Sequence, residues 1–425
     1  MTELLLRGVR LADGSRRDLA LRGELLVDPA DLGPGHRSVA ADGLIGLPGL
    51  VDLHTHLRQP GGEDAETVAS GTKAAARGGY TACFAMANTD PVTDTAEAVD
   101  HLTELGRREG WAEVIPVGAI TKGLAGHELA ELGLMHRAGV SLFSDDGRCV
   151  QNAQVMRRAL EYVSDFGGVL AQHSQDDDLA GPSACCHESA IGGKLGLPPW
   201  PAAAESVIVA RDIELARLTG GRLHVCHVSS AESVELIRWA KARQLPVTAE
   251  VTPHHLLLDT AELEGYDTTY KVNPPLRTDE HVEALRQGLA DGVIDAVATD
   301  HAPHTPEDKD HPFDVARPGM IGLEQALAVV IETMVLSGRL DWAGVVERMS
   351  SAPARIGQVA DRQARPLEPG QPANLVLIDP TRRRVVDRAA SSSQARNNPY
   401  HGRDLPDPVL ATFWRGRATY GGDNL

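Results

Sequence analysis

The sequence lacks the positive charge that several classes of binding protein require. Its 425 residues carry 59 acidic but only 41 basic side chains, for a formal net charge of -18. This deficit argues against binding along a nucleic-acid backbone, which requires clustered Lys and Arg. Small anions remain possible ligands, because a local Arg or a metal outweighs a diffuse negative surface.

Long apolar runs and a cysteine framework are also missing. Before Arg7, Arg10 and Asp13 there is only a short leucine run, so no secretory signal is expected, and no apolar run could cross a bilayer. The five cysteines have no framework spacing, and the adjacent Cys185 and Cys186 rarely pair with each other. We therefore expect reduced thiols and a cytoplasmic protein.

From about residue 48 onward, the chain alternates short apolar runs with amphipathic stretches, a pattern typical of repeated βα units. The predicted strands are 49–54, 81–87, 113–120, 140–144, 168–172, 222–226, 246–251 and 293–299. The predicted helices are 66–77, 95–108, 150–166, 202–218, 231–243 and 279–289. This order predicts an α/β fold, a closed (β/α)8 TIM barrel with its reactive groups at the carboxyl ends of the strands.

The two ends of the chain follow a different pattern. Before residue 48 and after about residue 362, short strand-like segments are separated by Gly, Pro and Asp turns. We expect residues 1–47 and 363–425 to form a small β-sandwich domain beside a barrel of residues 48–362.

Two histidines end the first predicted strand. Alternation along a strand points His54 and His56 to the same side. Neutral imidazole suits zinc, copper, iron or nickel, and an apolar strand before it supplies a rigid backbone. A hydrogen-bonded histidine pair is the alternative interpretation.

Two adjacent acids, Asp145 and Asp146, follow the fourth predicted strand. Asp is common at helix N-caps and in turns, so a purely structural role is the alternative for either one. The other acid is free to bridge two metals, because an ionised carboxylate offers two oxygens.

Histidines also end the fifth and sixth predicted strands. His173 ends the fifth, and the sixth contains His224 and His227, which face opposite sides of a regular strand. We prefer His227, because it lies nearer the carboxyl end. A lone histidine is more often a hydrogen-bonded structural residue, but repetition at successive strand ends favours a metal site.

Asp300 follows the eighth predicted strand, at the same rim. A turn-capping role is the alternative to a role as ligand and base. Four His and two Asp would fill two metal sites, and a hydroxide bridging the metals would be a strong nucleophile near neutral pH. The predicted metal ligands are His54, His56, Asp146, His173, His227 and Asp300.

Other polar residues near the strand ends are candidates for substrate binding. Arg58 could grip a carboxylate bidentately, Asn88 ends the second strand, and Asn273 precedes two prolines that stiffen its loop. The alternatives are a solvated surface arginine and ordinary turn residues. We interpret His254 and His255 as structural residues or as supports for metal ligands.

Five segments together resemble dihydroorotases of the bacterial class I type, and the resemblance covers nearly the whole chain. The segments are DLHTHLRQPG (52–61), NTDP (88–91), FSDDG (143–147), NPPLR (273–277) and DHAPH (300–304). The resemblance implies a zinc-dependent cyclic amidohydrolase with two Zn²⁺ per subunit. It would interconvert N-carbamoyl-L-aspartate and (S)-dihydroorotate in de novo pyrimidine (UMP) biosynthesis.

The resemblance also implies individual roles. It assigns His54, His56 and Asp300 to one zinc, His173 and His227 to the other, and Asp146 to the bridge. Asp300 would also be the catalytic proton shuttle. The implied substrate-binding residues are His56, Leu57, Arg58, Asn88, Asn273, His304, Pro318 and Gly319.

In this family, Arg58, Asn88 and His304 would hold the substrate carboxylate, while Asn273 and the backbone at 318–319 would contact the ring. The loop from residue 304 to 317 would be a mobile cover. A homodimer is a family expectation, and association with aspartate transcarbamoylase is compatible with an active enzyme. Two departures from the family pattern are Ala87 in place of proline and Pro318 in place of an aromatic residue.

Two other interpretations are alternatives to an active dihydroorotase. Dihydropyrimidinases, hydantoinases and allantoinases share the barrel but typically bridge their metals with a carboxylated lysine, and no lysine occurs between Lys122 and Lys194. A substrate without a carboxylate would also not need Arg58. Inactive homologues that act as structural partners of aspartate transcarbamoylase have lost ligands, whereas every ligand position is filled here.

Overall fold

The computed structural model describes residues 3–422 and residue 425. Within residues 3–422, eight short parallel strands follow one another around a barrel, each at a predicted position. These strands are Leu50–Thr55, Tyr80–Ala85, Glu113–Pro116, Leu142–Phe143, Val169–Gln172, Arg222–Val225, Val247–Val251 and Ala296–Val297. The predicted barrel is therefore confirmed.

Backbone pairing closes the strands into one ring. The first three strands pair in parallel, and the fourth to the eighth form a second parallel set. Bridges from Gly118 to Phe143 and from Thr55 to His301 join the two sets. The carboxyl ends of the strands thus meet at a single rim, where barrel enzymes carry their reactive groups.

Helices connect the strands on the outside of the barrel. Helix Val68–Arg77 begins at Thr67, which exchanges hydrogen bonds with Ser70 in a capping box. The other long helices, each close to its predicted range, are Ala96–Glu109, Ala153–Ser164, Ala203–Thr219, Ala231–Ala242 and Asp279–Ala290. Shorter α-helices are Leu132–Arg137, Asp177–Ala180, Ala190–Leu195, Pro253–Leu257, Pro306–Lys309, Ala326–Val330, Trp342–Val346 and Ala352–Ile356. In the part of the chain that the structure describes, no helix is long and apolar enough to cross a membrane.

The two ends of the chain build a separate sheet, as predicted. Its strands are Glu3–Leu11, Arg16–Arg22, Leu25–Val27, Arg37–Ala40, Ile45–Pro48, Leu375–Ile378, Val409–Trp414 and Arg417–Tyr420. The strands Ile45–Pro48 and Leu375–Ile378 pair antiparallel at its centre, which joins the segment before the barrel to the segment after it. The limits of the domains at residues 48 and 362 stay a prediction.

One stretch of the C-terminal segment lies on the barrel rim instead of in this sheet. Residues 391–400 follow the short strand Arg383–Val385 and precede its partner Asp404–Pro406. The Gln394 side chain donates to the carbonyls of Glu63 (2.9 Å) and Asp64 (3.0 Å), in the loop after the first barrel strand. The rim is therefore built from both the barrel loops and the C-terminal segment.

Candidate metal centre

The six predicted metal ligands converge at the carboxyl rim of the barrel. Each side chain is buried, although all six are polar. Buried polar groups require compensating partners, so a cluster of this size indicates either a hydrogen-bond network or a bound ion. The members of the cluster are His54, His56, Asp146, His173, His227 and Asp300.

Asp146 lies between two groups of histidines. Its Oδ2 atom is 3.2 Å from His54 Nε2 and 3.3 Å from His56 Nε2. Its Oδ1 atom is 3.2 Å from His227 Nε2 and 3.5 Å from His173 Nδ1. The two oxygens therefore face different halves of the centre, which is the arrangement that a bridging carboxylate requires.

Asp300 completes the first half, which we define as His54, His56 and Asp300. Its Oδ1 atom is 3.1 Å from His56 Nε2 and 3.5 Å from His54 Nε2. The candidate ligand atoms of this half and Asp146 all lie within 4.8 Å of one another. Those of the second half, His173 and His227, lie within the same distance of Asp146 and of each other.

The donor atoms fit divalent metals. His54 Nε2 is buried and makes no hydrogen bond to the described residues, so its nitrogen is unsatisfied by the protein itself. In the second half, His173 Nδ1 and His227 Nε2 point at each other across 2.9 Å. Imidazole nitrogens and carboxylate oxygens in this number are ligands that zinc accepts.

The electrostatic environment favours ionised carboxylates. Burial acts to raise the pKa of Asp146, but His54 and the hydrogen bonds from His173 and His227 outweigh it and hold the pKa well below its usual range. Burial is likewise outweighed at Asp300, where His56 and His54 lower the pKa. Both acids are therefore charged at neutral pH, as metal ligands must be.

Sequence reasoning missed a third carboxylate, Glu250, in the seventh barrel strand. His54 donates from Nδ1 to Glu250 Oε1 (2.8 Å), and Glu250 Oε2 lies 3.0 Å from His224 Nε2. Burial alone would raise the pKa of Glu250, but His224 and His54 lower it to about 2. Glu250 thus fixes the ring of His54 so that Nε2 faces the centre.

The structure distinguishes the two neighbouring acids, Asp145 and Asp146, and the two histidines of the sixth strand. Asp145 accepts hydrogen bonds from the amides of Ile120 (2.8 Å) and Thr121 (2.9 Å), which gives it a structural role apart from the centre. His227 belongs to the cluster, whereas His224 lies behind it against Glu250. The signal that could have found Glu250 was the presence of an acid in a mostly apolar strand, Val247–Val251.

An unusual backbone conformation sets the direction of three side chains at the rim. Arg58, His227 and Asp300 have φ angles of 61°, 31° and 45°, in the left-handed region that residues other than glycine seldom adopt. Such conformations cost energy and persist where the surroundings impose them, often at functional sites. Each of these residues follows the end of a barrel strand, so the strained turn directs its side chain at the rim.

The predicted carboxylate-binding residues lie beside the first half. Asn88 Oδ1 accepts a hydrogen bond from His56 Nδ1 (2.9 Å), and Arg58 donates from Nε to the carbonyl of Pro303 (3.0 Å). Burial, followed by the positive charge of Arg58, lowers the pKa of His304 to about 4. Because Arg58 bonds to the carbonyl of Pro303, the residue before His304, these two residues are neighbours at the rim.

The remaining predicted contacts are arranged differently. Asn273 donates to Gln175 Oε1 (2.9 Å), while its own Oδ1 is buried without a hydrogen bond to the described residues. The Leu57 side chain packs in an apolar cluster with Val68 and Cys83, so only its backbone is placed to reach a substrate.

The backbone at 318–319 and the loop before it are already engaged within the protein. The carbonyl of Pro318 accepts from His304 Nε2 (2.8 Å), and the amide of Gly319 donates to the carbonyl of Lys271 (2.9 Å). The predicted cover, residues 304–317, contains a short helix, Pro306–Lys309. Its mobility stays a prediction.

Sequence comparison assigns the chain to one family over its full length. Residues 43–233 match the profile of a family described as dihydro-orotase-like. The chain is 54% identical over 423 residues to a dihydroorotase of Streptomyces coelicolor, covering 99% of this chain and 98% of the relative. It is 50% identical over 422 residues to a dihydroorotase of Mycobacterium tuberculosis, covering 98% of each chain.

Solved structures share the whole fold. An L-hydantoinase (dihydropyrimidinase) from Arthrobacter aurescens superposes with a TM-score of 0.87 at 24% identity, covering 98% of this chain and 96% of that one. A dihydropyrimidinase from Brevibacillus agri gives 0.85 at 23% identity, covering 98% and 95%. At this identity the likeness concerns only the architecture. The full-length sequence identities are more specific, and they show that the chain belongs to the dihydroorotase family.

Proposed function

We propose that this protein is a zinc-dependent dihydroorotase that interconverts N-carbamoyl-L-aspartate and (S)-dihydroorotate, releasing or consuming water. The observation that carries the proposal is the position of Asp146, with one oxygen toward each half of the centre. A carboxylate here takes the place of the carboxylated lysine of the hydantoinase type. The pair of Arg58 and His304 supports a substrate that carries a carboxylate.

In this proposal the first half holds one Zn²⁺, the second half holds the other, and Asp146 is shared. Bound there, the metals would lower the pKa of bound water and so supply a nucleophile near neutral pH. The protein contributes the fixed geometry, since Glu250 and Asn88 hold the rings of His54 and His56 from behind.

Asp300 is the proposed proton carrier. Its carboxylate is ionised because His56 and His54 lower its pKa against the effect of burial. In the hydrolytic direction, the Asp300 oxygen that does not serve as a metal ligand would accept a proton as the ring amide is attacked and then deliver it to the departing nitrogen. In cyclisation the same atom would take the proton from the carbamoyl nitrogen and return it as water forms.

The substrate would be held at two ends. Arg58, Asn88 and His304 would bind its carboxylate, which is the feature that separates dihydroorotate from hydantoin and dihydrouracil. Asn273 would contact the ring, and its unsatisfied Oδ1 supports a role as an acceptor. The backbone at 318–319 could join these contacts if the loop above it moves.

Family membership also supports a cytoplasmic homodimer, and an association with aspartate transcarbamoylase is compatible with it. Size-exclusion chromatography with light scattering, with and without the transcarbamoylase, tests both assemblies. A monomer that does not bind the transcarbamoylase would contradict them without touching the proposed chemistry.

The decisive experiment assays metal-loaded protein in parallel on carbamoyl aspartate, dihydroorotate, hydantoin and dihydrouracil. We expect about two divalent metals per chain and turnover of the first two compounds only. Asp300→Ala should lower turnover by about a thousandfold or more. Faster turnover of hydantoin or dihydrouracil would move the protein to the dihydropyrimidinase group, and absence of both metal and turnover would refute the proposal.

A further inference from the structure

Asn397, in the C-terminal segment on the barrel rim, uses every polar atom of its side chain. The residue is 4% exposed. Its Nδ2 donates to the carbonyls of Ala302 (2.9 Å) and Gly319 (3.1 Å), and its Oδ1 accepts from the amide of His304 (3.2 Å). Its own carbonyl accepts from the amide of Ile321 (3.1 Å).

These partners lie at the two ends of one loop. Ala302 and His304 begin the segment that follows the eighth barrel strand, and Gly319 and Ile321 end it. Because Asn397 bonds to both ends at once, it closes the base of the loop that carries His304. The loop is also closed by bonds of its own, including those from the amide of Ala302 to the carbonyl of Met320 (2.8 Å) and from His304 Nε2 to the carbonyl of Pro318 (2.8 Å). Asn397 is the link that ties this loop to the C-terminal segment.

A second contact from the same segment reaches the neighbour of Asp300. The Ser393 hydroxyl donates to Glu66 Oε2, which is also 3.1 Å from His301 Nε2. Glu66 and His301 are both buried, and the hydrogen bond to His301 lowers the pKa of Glu66 against the effect of burial. The C-terminal segment therefore supports the residues on both sides of the strand-eight turn.

We propose that residues 393–397 are part of the active site, with Asn397 as a positioning residue that keeps the His304 loop closed over the centre. This inference rests on the proposed function, because it assigns the loop a role in holding the substrate carboxylate. Asn397 itself acts only through the loop and touches no reacting atom.

The chemistry of the amide group explains why an asparagine is required. The site needs two donors and one acceptor on a single short, planar group, which Asn provides. Aspartate keeps the size and the acceptor but has no donor for the two carbonyls. Alanine removes all three bonds, which leaves the Gly319 carbonyl with Lys309 alone as its donor. Either change should shift the loop toward an open form without altering the barrel strands.

Site-specific proteolysis measures the opening independently of activity. Lys309 lies within the loop, and its Nζ donates to the carbonyls of Arg317 (2.8 Å) and Gly319 (3.1 Å). In native digestion with endoproteinase Lys-C, Asn397→Ala and Asn397→Asp should speed cleavage after Lys309 by about tenfold. Cleavage after the exposed Lys194 serves as the internal reference.

Asn398→Ala is the matched control. Asn398 is equally buried, but it bonds to Gln325 (3.1 Å) and to the amide of Tyr400 (2.9 Å), and not to the loop. We expect this variant to match the wild type in cleavage after Lys309.

Kinetics test the consequence for the substrate. Both Asn397 variants should raise KM for carbamoyl aspartate by about tenfold and change kcat by less than about threefold, while Asn398→Ala leaves both unchanged. Wild-type cleavage rates and KM in both variants would overturn the inference. So would equal effects in Asn398→Ala, or loss of cooperative thermal unfolding in both variants, since Asn397 would then support the whole fold. If the wild type has no turnover, the proposed function fails, yet cleavage after Lys309 still decides whether Asn397 closes the loop.

Discussion

The two halves of the metal centre are supported by different chemistry. In the first half, the ring of His54 is backed by the buried carboxylate of Glu250 at 2.8 Å. In the second half, His173 Nε2 faces the neutral side-chain oxygen of the partly exposed Gln175 at 3.0 Å. A buried carboxylate orients an imidazole and raises its basicity more than an amide does.

The supports also lead to different parts of the molecule. Glu250 belongs to a barrel strand and connects the first half to the rigid core. Gln175 lies in a loop and accepts a hydrogen bond from Asn273 (2.9 Å), the predicted ring contact. This difference indicates that the first half is held in place by the barrel core before substrate binds. The second half shares its support, Gln175, with the substrate-binding loop.

The largest effect should come from Asp146, because it is the one residue in the described part of the chain that faces both halves. Asp146→Ala should abolish stoichiometric metal binding and lower turnover by about ten-thousandfold. Metal analysis after dialysis and a turnover assay check this expectation. Asp145→Asn is the control, since Asp145 contacts only structural groups, and it should keep its metal. Retention of two metals by Asp146→Ala would contradict the expectation that the two halves share a ligand.

Glu250→Gln should weaken metal binding selectively in the first half. The amide cannot serve both His54 and His224 as an acceptor, so the affinity of that half should fall by about 10- to 100-fold. Zinc titration by calorimetry should then show one tight and one weakened site. Equal loss at both sites would contradict the difference between the halves.

Chelator treatment of the wild type should remove the metals in two steps. We expect the second half to release its metal first, because its support is neutral and partly exposed, with an affinity about tenfold weaker. Metal analysis along a chelator titration measures the steps. Release in one step would contradict this expectation, since loss of one metal would then cause loss of the other through the shared Asp146.

The smallest effect should come from Gln175→Ala. Loss of this amide removes one hydrogen bond from His173 and one from Asn273, so KM should rise by about three- to fivefold with the first half still loaded. A KM equal to that of the wild type would separate the second half from the substrate loop.

The barrel and the convergence of the six candidate ligands could be predicted because both depend on local patterns. Short apolar runs mark parallel strands, and a polar residue at the end of such a run falls at the rim. His54 and Asp300 were found in this way although they are far apart in the chain. Strand alternation also put His224 and His227 on opposite sides, and the position of His227 nearer the carboxyl end favoured it.

The supports of the centre could not be predicted, because they depend on tertiary contacts. Glu250 lies within a strand, and no local pattern tells whether an acid there faces solvent or a histidine. Asn397 is separated from its partner His304 by the last barrel helices, so no local pattern connects the two residues. Leu57 stands between two residues of the rim, yet its side chain packs away from it.

The central pairing of the terminal sheet has a consequence for the order of assembly. Ile45 pairs with Ile378, and the first barrel strand begins at Leu50, shortly after this pairing. A ribosome delivers the amino-terminal partner long before the carboxyl-terminal one, and contacts between distant residues form slowly. The segment that leads into the strand of His54 therefore gains its partner in the terminal sheet only after residues 375–378 have been synthesised.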